Sequence, residues 1–236
     1  DNPADKLLPS ITSMGEAFWR MAAVPDRRSG DLLLWLDTFD SLWRLGTGMA
    51  VSTLLAISLG IAIGFIPHIR SGLAPYLATF SLIPPITILP ILFITFGLGE
   101  LAKIALIVIG TAPVMIRSTA QAVLDIPREM IIKAETLGAS VLQMVTRLVL
   151  PQVLPHLITS LRLSLVPAWI FLISAEAIAS TSGLGYRIFL VRRYLAMDVI
   201  LPYVVWITLL AFLLDRALLL LSRRAFRWHH LGGDAL

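Results

Sequence analysis

The sequence predicts an all-α protein, a polytopic bundle of helices that crosses a membrane five times. Hydrophobic residues make up 57% of the chain and charged residues only 14%, whereas a soluble domain carries about a quarter charged residues. Five apolar stretches are close to the length of about 20 residues that a helix needs to cross a bilayer. The predicted spans are residues 45–67, 73–96, 101–118, 153–178 and 199–221.

The composition also excludes several kinds of site. The absence of cysteine excludes disulfide frameworks, zinc sites and cysteine nucleophiles. The sequence contains no P-loop, HExxH or GxSxG pattern, so we predict no catalytic residues, no metal site and no enzyme activity in this chain. Its net charge of +4 fits the excess of basic residues on one side of membrane proteins, and we predict no binding of nucleic acid.

Residues 1–43 precede the first predicted span and are mixed in character. Ser13 and Glu16 have capping-box spacing, which predicts a short amphipathic helix. Residues 32–39 are too short and too acidic to span a membrane. Tryptophans that suit a membrane interface recur at Trp19, Trp35 and Trp43. We predict an extracytoplasmic segment lying at the interface, with a soluble arm as the alternative.

The transmembrane domain is predicted to cover residues 44–224, and its first span is rich in small residues. These are Gly46, Gly48, Ser52, Ser58, Gly60 and Gly64. Small residues let a second helix approach closely. The first span is therefore predicted to be packed against other helices.

The second span is interrupted by Pro84, Pro85 and Pro90. Each proline removes a backbone donor and crowds the preceding turn, so the helix must kink or unwind near its middle. Within a bilayer this is tolerated only where protein or a water-filled cavity covers the freed carbonyls. Pro84 and Pro85 are thus candidates for a translocation path, and an ordinary proline kink is the alternative.

Basic residues predict the orientation of the chain. Five spans place three basic connections on one side: His68 and Arg70; Arg117, Arg128, Lys133 and Arg147; Arg223, Arg224 and Arg227. The positive-inside rule makes that side the cytoplasm. Residues 225–236 are then a cytoplasmic tail, and the amino terminus lies outside.

The most polar interval between two spans is residues 125–155. Pro127 suits the first turn of a helix, and Gly138 can adopt the left-handed conformation that ends one. Ser140 and Gln143 have capping-box spacing and predict a second helix, which we expect to stop at Pro151. This loop is predicted either to dock into a soluble partner or to rest on lipid headgroups.

Ionisable residues in the fourth span are further candidates for a translocation path. Arg162 and Glu176 differ by about 40° in direction and about 21 Å in height on a helix, and Trp169 lies near the same face. The alternatives are that Arg162 reaches the headgroups and that Glu176 pairs with Arg187 or Arg193.

The turn after the fourth span carries a group of small residues. Ser182, Gly183 and Gly185 are candidates for an outer gate, because a gate needs a backbone that can move. Their glycines are explained equally well by a tight turn.

Several motifs together carry a resemblance to a known family. Gly138, followed after nine residues by Leu148, Val149, Leu150 and Pro151, resembles the EAA loop of ABC-importer permeases. Residues 41–44, 83–85, 89–90, 96–100, 161–162 and 182–186 match further motifs in the same order. Over about residues 41–224 the chain resembles the nitrate, sulfonate and taurine branch of binding-protein-dependent permeases.

The resemblance implies a type I ABC-importer permease fold in the inner membrane of a bacterium. It implies a homodimer of permeases surrounded by membrane lipid, two ATPase subunits and a periplasmic solute-binding protein. ATP and Mg²⁺ are then expected on the ATPases, and this chain binds no cofactor. The implied substrate is a small solute such as nitrate, a sulfonate or taurine. A secondary transporter or a non-transporting scaffold is the alternative, and the inverted repeats expected of many secondary transporters are not visible.

The resemblance also implies which residues couple the permease to the ATPase. They are Glu129, Lys133, Ala134, Glu135, Gly138 and Ala139. The Glu-Ala-Ala positions of the family hold Ile132, Lys133 and Ala134 here, so the glutamate of the family is missing. The polar contact that this glutamate would make with the ATPase is then expected from Glu135, Lys133 or Glu129.

Overall fold

A computed structural model describes residues 9–26 and 30–230, and the regular structure in this part of the chain is entirely helical. The helices are α1 (Ile11–Ala23), α2 (Leu33–Leu55), α3 (Ile61–Phe65), α4 (Pro67–Phe80), α5 (Leu89–Phe96), α6 (Glu100–Leu124), α7 (Arg128–Thr136), α8 (Val141–Met144), α9 (Leu150–Ala179), α10 (Leu184–Arg192), α11 (Met197–Ala225) and α12 (Arg227–His230). Two π-helical turns (Ala56–Gly60 and Val145–Val149) and one 3₁₀ turn (Pro85–Ile88) join some of them.

Four helical segments are long and apolar enough to cross a membrane, counting only the described residues. They are Leu33–Phe65, Glu100–Leu124, Val141–Ala179 and Met197–Ala225. A fifth is present if the helix pair Pro67–Phe80 and Pro85–Phe96, which is bent at the break between them, counts as one span. The predicted all-α polytopic bundle is confirmed. Residues 1–8 of the predicted amino-terminal segment and residues 231–236 of the predicted carboxy-terminal tail lie outside the described part.

The break in the second span lies at the prolines, as predicted. Helix α4 ends at Phe80, and helical structure resumes as the 3₁₀ turn that starts at Pro85. A residue that precedes a proline is pushed out of the α region, and Pro84 and Pro85 apply that restriction twice in succession. Pro90 falls in the first turn of α5, where its missing N–H has no helical partner to lose.

The predicted extracytoplasmic or interfacial placement of residues 1–43 stays a prediction, but the helix is not interrupted at its boundary, residue 43. Helix α2 begins at Leu33 and runs through it without interruption. Asp37, the acidic residue of the stretch 32–39, pairs with Arg187, and Asp40, one residue beyond that stretch, lies 4.0 Å from Arg44. An internal counter-charge removes most of the cost of an acidic residue in an apolar helix.

Helix α1 has a different cap from the one predicted. Its N-cap is Ser10, whose hydroxyl accepts a hydrogen bond from the Ser13 N–H at 3.2 Å. The helix therefore starts earlier than the Ser13 and Glu16 spacing indicated.

The predicted stop of the second loop helix at Pro151 is also wrong. The capping box of Ser140 and Gln143 is present as predicted and starts α8. The chain then passes through the π turn Val145–Val149 into α9, which continues to Ala179. Pro151 is the second residue of α9, and the wider π turn before it changes the hydrogen-bonding register where its N–H is missing.

The described residues form two compact units, each with its own core. Among the described residues, the first contains residues 9–26, 30–48, 85–107 and 168–213, with a core of Leu89, Leu92, Ala102, Leu106 and Ala175. The second contains residues 49–84, 108–167 and 214–230, with a core of Ile61, Val123, Ile126, Val149 and Val153.

Close helix packing at small residues is confirmed in the second unit. A Cβ added at Gly60 would lie 2.6 Å from the Cβ of Thr119, and one at Gly64 would lie 2.5 Å from the Cβ of Val123. Residues 56–65 therefore approach α6 more closely than any side chain would allow.

Candidate functional site

Gly138 ends helix α7 in the left-handed conformation, as predicted. Its φ is +77°. Its N–H donates to the carbonyl of Glu135 at 2.9 Å, and the N–H of Ala139 donates to the carbonyl of Ala134 at 3.0 Å. These two bonds form a Schellman motif, which satisfies carbonyls that the helix end leaves free. A Cβ at Gly138 would meet nothing within 4 Å, so the backbone conformation alone explains the glycine.

Helix α7 has an inner and an outer face. Ile131 packs against the core of the second unit, while Glu129, Ile132 and Lys133 are exposed. At 100° per residue these three exposed residues fall within an arc of about 100°. Glu135 is exposed too, about 120° away from Glu129. The outer face thus combines two opposite charges with one apolar side chain.

Large apolar side chains lie exposed beside these charges. Leu137 is 79% exposed, Leu142 72% and Ile132 56%. Ala134 and Ala139, the two small residues of the predicted coupling set, are half-buried. Exposed apolar groups next to charges are typical of a surface that contacts another molecule.

A buried polar cluster in the first unit surrounds Glu176. Its carboxylate is 0% exposed and accepts hydrogen bonds from Arg44 Nη1 at 2.7 Å, Ser41 Oγ at 2.8 Å and the Gly185 N–H at 2.9 Å. A buried carboxylate is tolerated only with a counter-charge and with hydrogen bonds to its oxygens. Glu176 has both through Arg44, Ser41 and Gly185, so the alternative that it pairs with Arg187 or Arg193 is wrong.

Arg44 joins Glu176 to a second carboxylate. Its side chain is 3% exposed, and its Nη2 donates to Glu100 at 2.9 Å while its Nη1 donates to the Ser182 carbonyl at 2.9 Å. Lys103 also donates to Glu100 at 2.9 Å. Glu100 is half-exposed, at 51%, so the network reaches from a fully buried group to an accessible one.

A third carboxylate, Asp37, binds the turn of residues 180–186. Asp37 is 0% exposed and accepts from the Gly183 N–H at 2.9 Å, Arg187 Nε at 2.7 Å and the Tyr203 hydroxyl at 3.2 Å. Burial alone would lower the pKa of Arg187, but the hydrogen bond to Asp37 and the charge interactions with Asp37, Tyr203 and Tyr186 together outweigh it and raise that pKa above its ordinary value. Arg187 therefore stays charged.

The glycines of residues 180–186 are required by this arrangement. Gly183 has a φ of +120°, and a Cβ there would lie 2.5 Å from the carboxylate carbon of Glu176. A Cβ at Gly185 would lie 2.8 Å from the carbonyl oxygen of Ile173. Gly183, Gly185 and Ser182 are thus built into a buried contact, and their role as an outer gate stays a prediction.

The remaining path candidates have different surroundings. Arg162 is not an unpaired cation but forms a bidentate ion pair with Asp215. Its Nε and Nη2 donate to the two carboxylate oxygens at 2.8 and 3.0 Å. Trp169 is 5% exposed, and its Nε1–H finds no acceptor in the part of the chain that the structure describes. Pro84 is exposed and Pro85 is half-buried at the helix break. Their place on a translocation path stays a prediction.

Sequence reasoning missed Asp37, Ser41 and Arg44 as site residues. They stand at positions i, i+4 and i+7 of one helix, which places them on one face within about 60°. Three polar residues at that spacing in an apolar helix are the signal that could have found them. Among the described residues, no group of three His, Asp or Glu side chains is placed so that it could hold a metal ion.

Comparisons with known proteins agree with this architecture. The chain is 36% identical over 199 residues to the taurine transport system permease protein TauC of Escherichia coli (strain K12), covering 84% of this chain and 72% of TauC. It is 30% identical over 224 residues to the putative aliphatic sulfonates transport permease protein SsuC of the same organism, covering 95% of this chain and 82% of SsuC. It is 30% identical over 204 residues to the bicarbonate transport system permease protein CmpB of Synechococcus elongatus, covering 86% of this chain and 73% of CmpB.

A solved structure and a protein family match as well. A chain of the MetNI methionine ABC transporter, solved in inward-facing conformations, superposes with a TM-score of 0.65 over 81% of this chain and 96% of that chain. At 23% sequence identity this likeness shows the fold alone. Residues 41–227 match the family described as binding-protein-dependent transport system inner membrane component. The chain belongs to this family, as a multi-pass transmembrane permease subunit.

Proposed function

We propose that this permease imports a small oxyanion, such as a sulfonate, taurine or nitrate, and that a separate ATPase drives it through residues 125–155. The relatives TauC, SsuC and CmpB are described as transporting taurine, aliphatic sulfonates and bicarbonate. Each of these solutes carries an oxyanion group, which supports that substrate class.

The observation that carries the coupling proposal is the two-sided loop. Its inner face packs on the core through Ile131, while Glu129, Ile132 and Lys133 stay exposed on the outer face. An ATPase groove that accepts this face gains apolar burial from Ile132 and ion pairs from the two charges. Glu129 and Lys133 then supply the contact of the missing family glutamate, since both lie on that face, whereas Glu135 lies about 60° beyond its edge at Ile132. ATP and Mg²⁺ bind to the ATPase in this arrangement.

The assembly that follows contains two copies of this chain, two ATPase subunits and a periplasmic binding protein, in the inner membrane of a bacterium. Native mass spectrometry of the purified complex tests it directly. A mass equal to two permeases plus two ATPases supports the proposal. A permease that purifies with no ATPase under conditions that keep its fold contradicts it.

Transport is tested in proteoliposomes that contain this chain, its cognate ATPase and its binding protein. ATP-dependent uptake of labelled taurine, an alkanesulfonate, nitrate or bicarbonate is expected for at least one solute. Uptake that is driven by an ion gradient in the absence of ATP would instead indicate a secondary transporter.

Coupling is tested at Gly138 with a matched pair of variants. Asparagine tolerates the left-handed conformation, whereas valine is strained there by its branched Cβ. We expect Gly138→Asn to keep ATPase binding and uptake, and Gly138→Val to lose both while the permease remains inserted. Wild-type uptake by a well-inserted Gly138→Val permease would rule out the loop as the coupling element.

A further inference from the structure

We propose that a cavity in the second unit binds the headgroup phosphate of an anionic phospholipid. The cavity has a volume of about 270 Å³. Two arginines, Arg70 of α4 and Arg117 of α6, line it together with the amide of Gln121, and the rest of its wall is aliphatic. An anion with an apolar tail matches that combination of two cations and an apolar wall.

The positive charge of the cavity is not neutralised from within. Arg70 donates through Nε to the carbonyl of Ile63 at 3.2 Å and through Nη2 to that of Gly64 at 2.9 Å, which leaves Nη1 without a partner among the described residues. The side chain of Arg117 makes no hydrogen bond or ion pair within residues 9–26 and 30–230. The lining includes no carboxylate, and the neighbouring Asp125 accepts from Gln121 at 2.8 Å.

Two neighbouring guanidinium groups suit a phosphate group in particular. Guanidinium donors match the oxygens of a phosphate, and bonds between two charged groups are about twice as strong as neutral ones. A zwitterionic headgroup or solute would leave its ammonium without a counter-charge in this cavity. The cavity therefore favours phosphatidylglycerol or cardiolipin over phosphatidylethanolamine.

The surroundings of the cavity indicate a lipid rather than a free anion. Helix α4 has no fully buried residue, and it exposes Tyr76 at 68%, Phe80 at 64% and Leu73 at 44%. Arg70 lies in the first turn of this helix, and Arg117 lies seven residues, about 10 Å, before the end of α6. Basic pockets between membrane helices on the cytoplasmic side are known to bind anionic headgroups.

The test is native mass spectrometry of the full-length permease released from nanodiscs of phosphatidylglycerol and phosphatidylethanolamine. We expect the wild type to retain phosphatidylglycerol at least tenfold over phosphatidylethanolamine, and Arg117→Gln to lose about tenfold in retention. The exposed side chain of Arg117 forms no hydrogen bond or ion pair with a described residue, so this variant should fold normally. Arg223→Gln, which removes a charge outside the cavity, is the matched control and should retain the lipid.

Three results would overturn the proposal. Equal retention in Arg117→Gln and the wild type would show that the cavity is not the lipid site, and equal losses in Arg117→Gln and Arg223→Gln would show nonspecific attraction. Displacement of the lipid by millimolar inorganic phosphate would assign the cavity to a free anion instead. The measurement needs neither ATPase nor transport, so its outcome is independent of the proposed import function.

Discussion

Arg44 and Glu176 form a buried ion pair whose two halves should respond differently when one charge is removed. The N–O distance is 2.7 Å, with side-chain exposures of 3% and 0%. Arg44 has a second carboxylate in Glu100, whereas Glu176 has no second cation within 4.0 Å in the described part of the chain. Arg44→Met therefore leaves a buried carboxylate without a counter-charge, while Glu176→Gln leaves Arg44 paired.

The expected costs follow from this asymmetry. Leaving one charge of a buried pair alone costs about 3–5 kcal/mol of unfolding free energy, so Arg44→Met should fall in that range. Glu176→Gln keeps an acceptor for Ser41 or Gly185 and should cost about 1–2 kcal/mol. The double variant should cost less than the sum of the two, with a coupling of about 1–3 kcal/mol, because it buries no lone carboxylate.

The assay is equilibrium unfolding of the purified permease and its variants in detergent micelles, analysed as a double-mutant cycle. The Arg162 and Asp215 pair is the matched control, since its side chains are 26% and 37% exposed. Arg162→Met and Asp215→Asn should each cost about 0–1 kcal/mol. The reasoning fails if Glu176→Gln costs as much as Arg44→Met, or if their effects simply add.

Three further predictions concern Gly183, Gly60 and Trp169. Gly183→Ala should abolish folded expression because its φ of +120° and a Cβ 2.5 Å from a carboxylate carbon both oppose a side chain. Gly99→Ala, where a Cβ meets nothing within 4 Å and φ is not positive, should express normally; size-exclusion profiles compare the two. Gly60→Leu should lower the unfolding temperature markedly, since its Cβ alone would approach that of Thr119 to 2.6 Å; an unchanged unfolding temperature would contradict the packing. Trp169→Phe removes a buried N–H with no acceptor, so stability should stay within about 1 kcal/mol of the wild type. A loss of uptake with stability retained would place Trp169 on the solute path.

Features set by neighbouring residues could be predicted from the sequence. The helix break at Pro84 and Pro85, the left-handed Gly138 and the capping box at Ser140 each depend on a few adjacent residues. Proline geometry, glycine freedom and side-chain capping act within one helical turn, so a sequence window contains all the information they need.

Features set by distant partners could not be predicted in this way. Helix α2 begins before the predicted span at residue 45, since the partner of Asp37 is Arg187, 150 residues further along the chain. The pairing of Glu176 with Arg44 could not be predicted for the same reason, since the two residues are 132 positions apart. The energetic cost of a charge in an apolar helix depends on its counter-charge, and only the fold brings the two together.

The glycines of residues 180–186 and the glutamate at position 176 are one structural requirement rather than two. Gly183 leaves the room that the Glu176 carboxylate occupies, and Gly185 leaves room for the Glu176 Cβ and the Ile173 backbone. The N–H of Gly183 donates to Asp37, and the N–H of Gly185 donates to Glu176. A substitution at any of these positions therefore disturbs the same buried network. Loss of transport in such a variant identifies a path or gate residue only if the unfolding free energy is unchanged. Glu100 is the position where the two effects separate, because it joins the network through Arg44 while remaining 51% exposed.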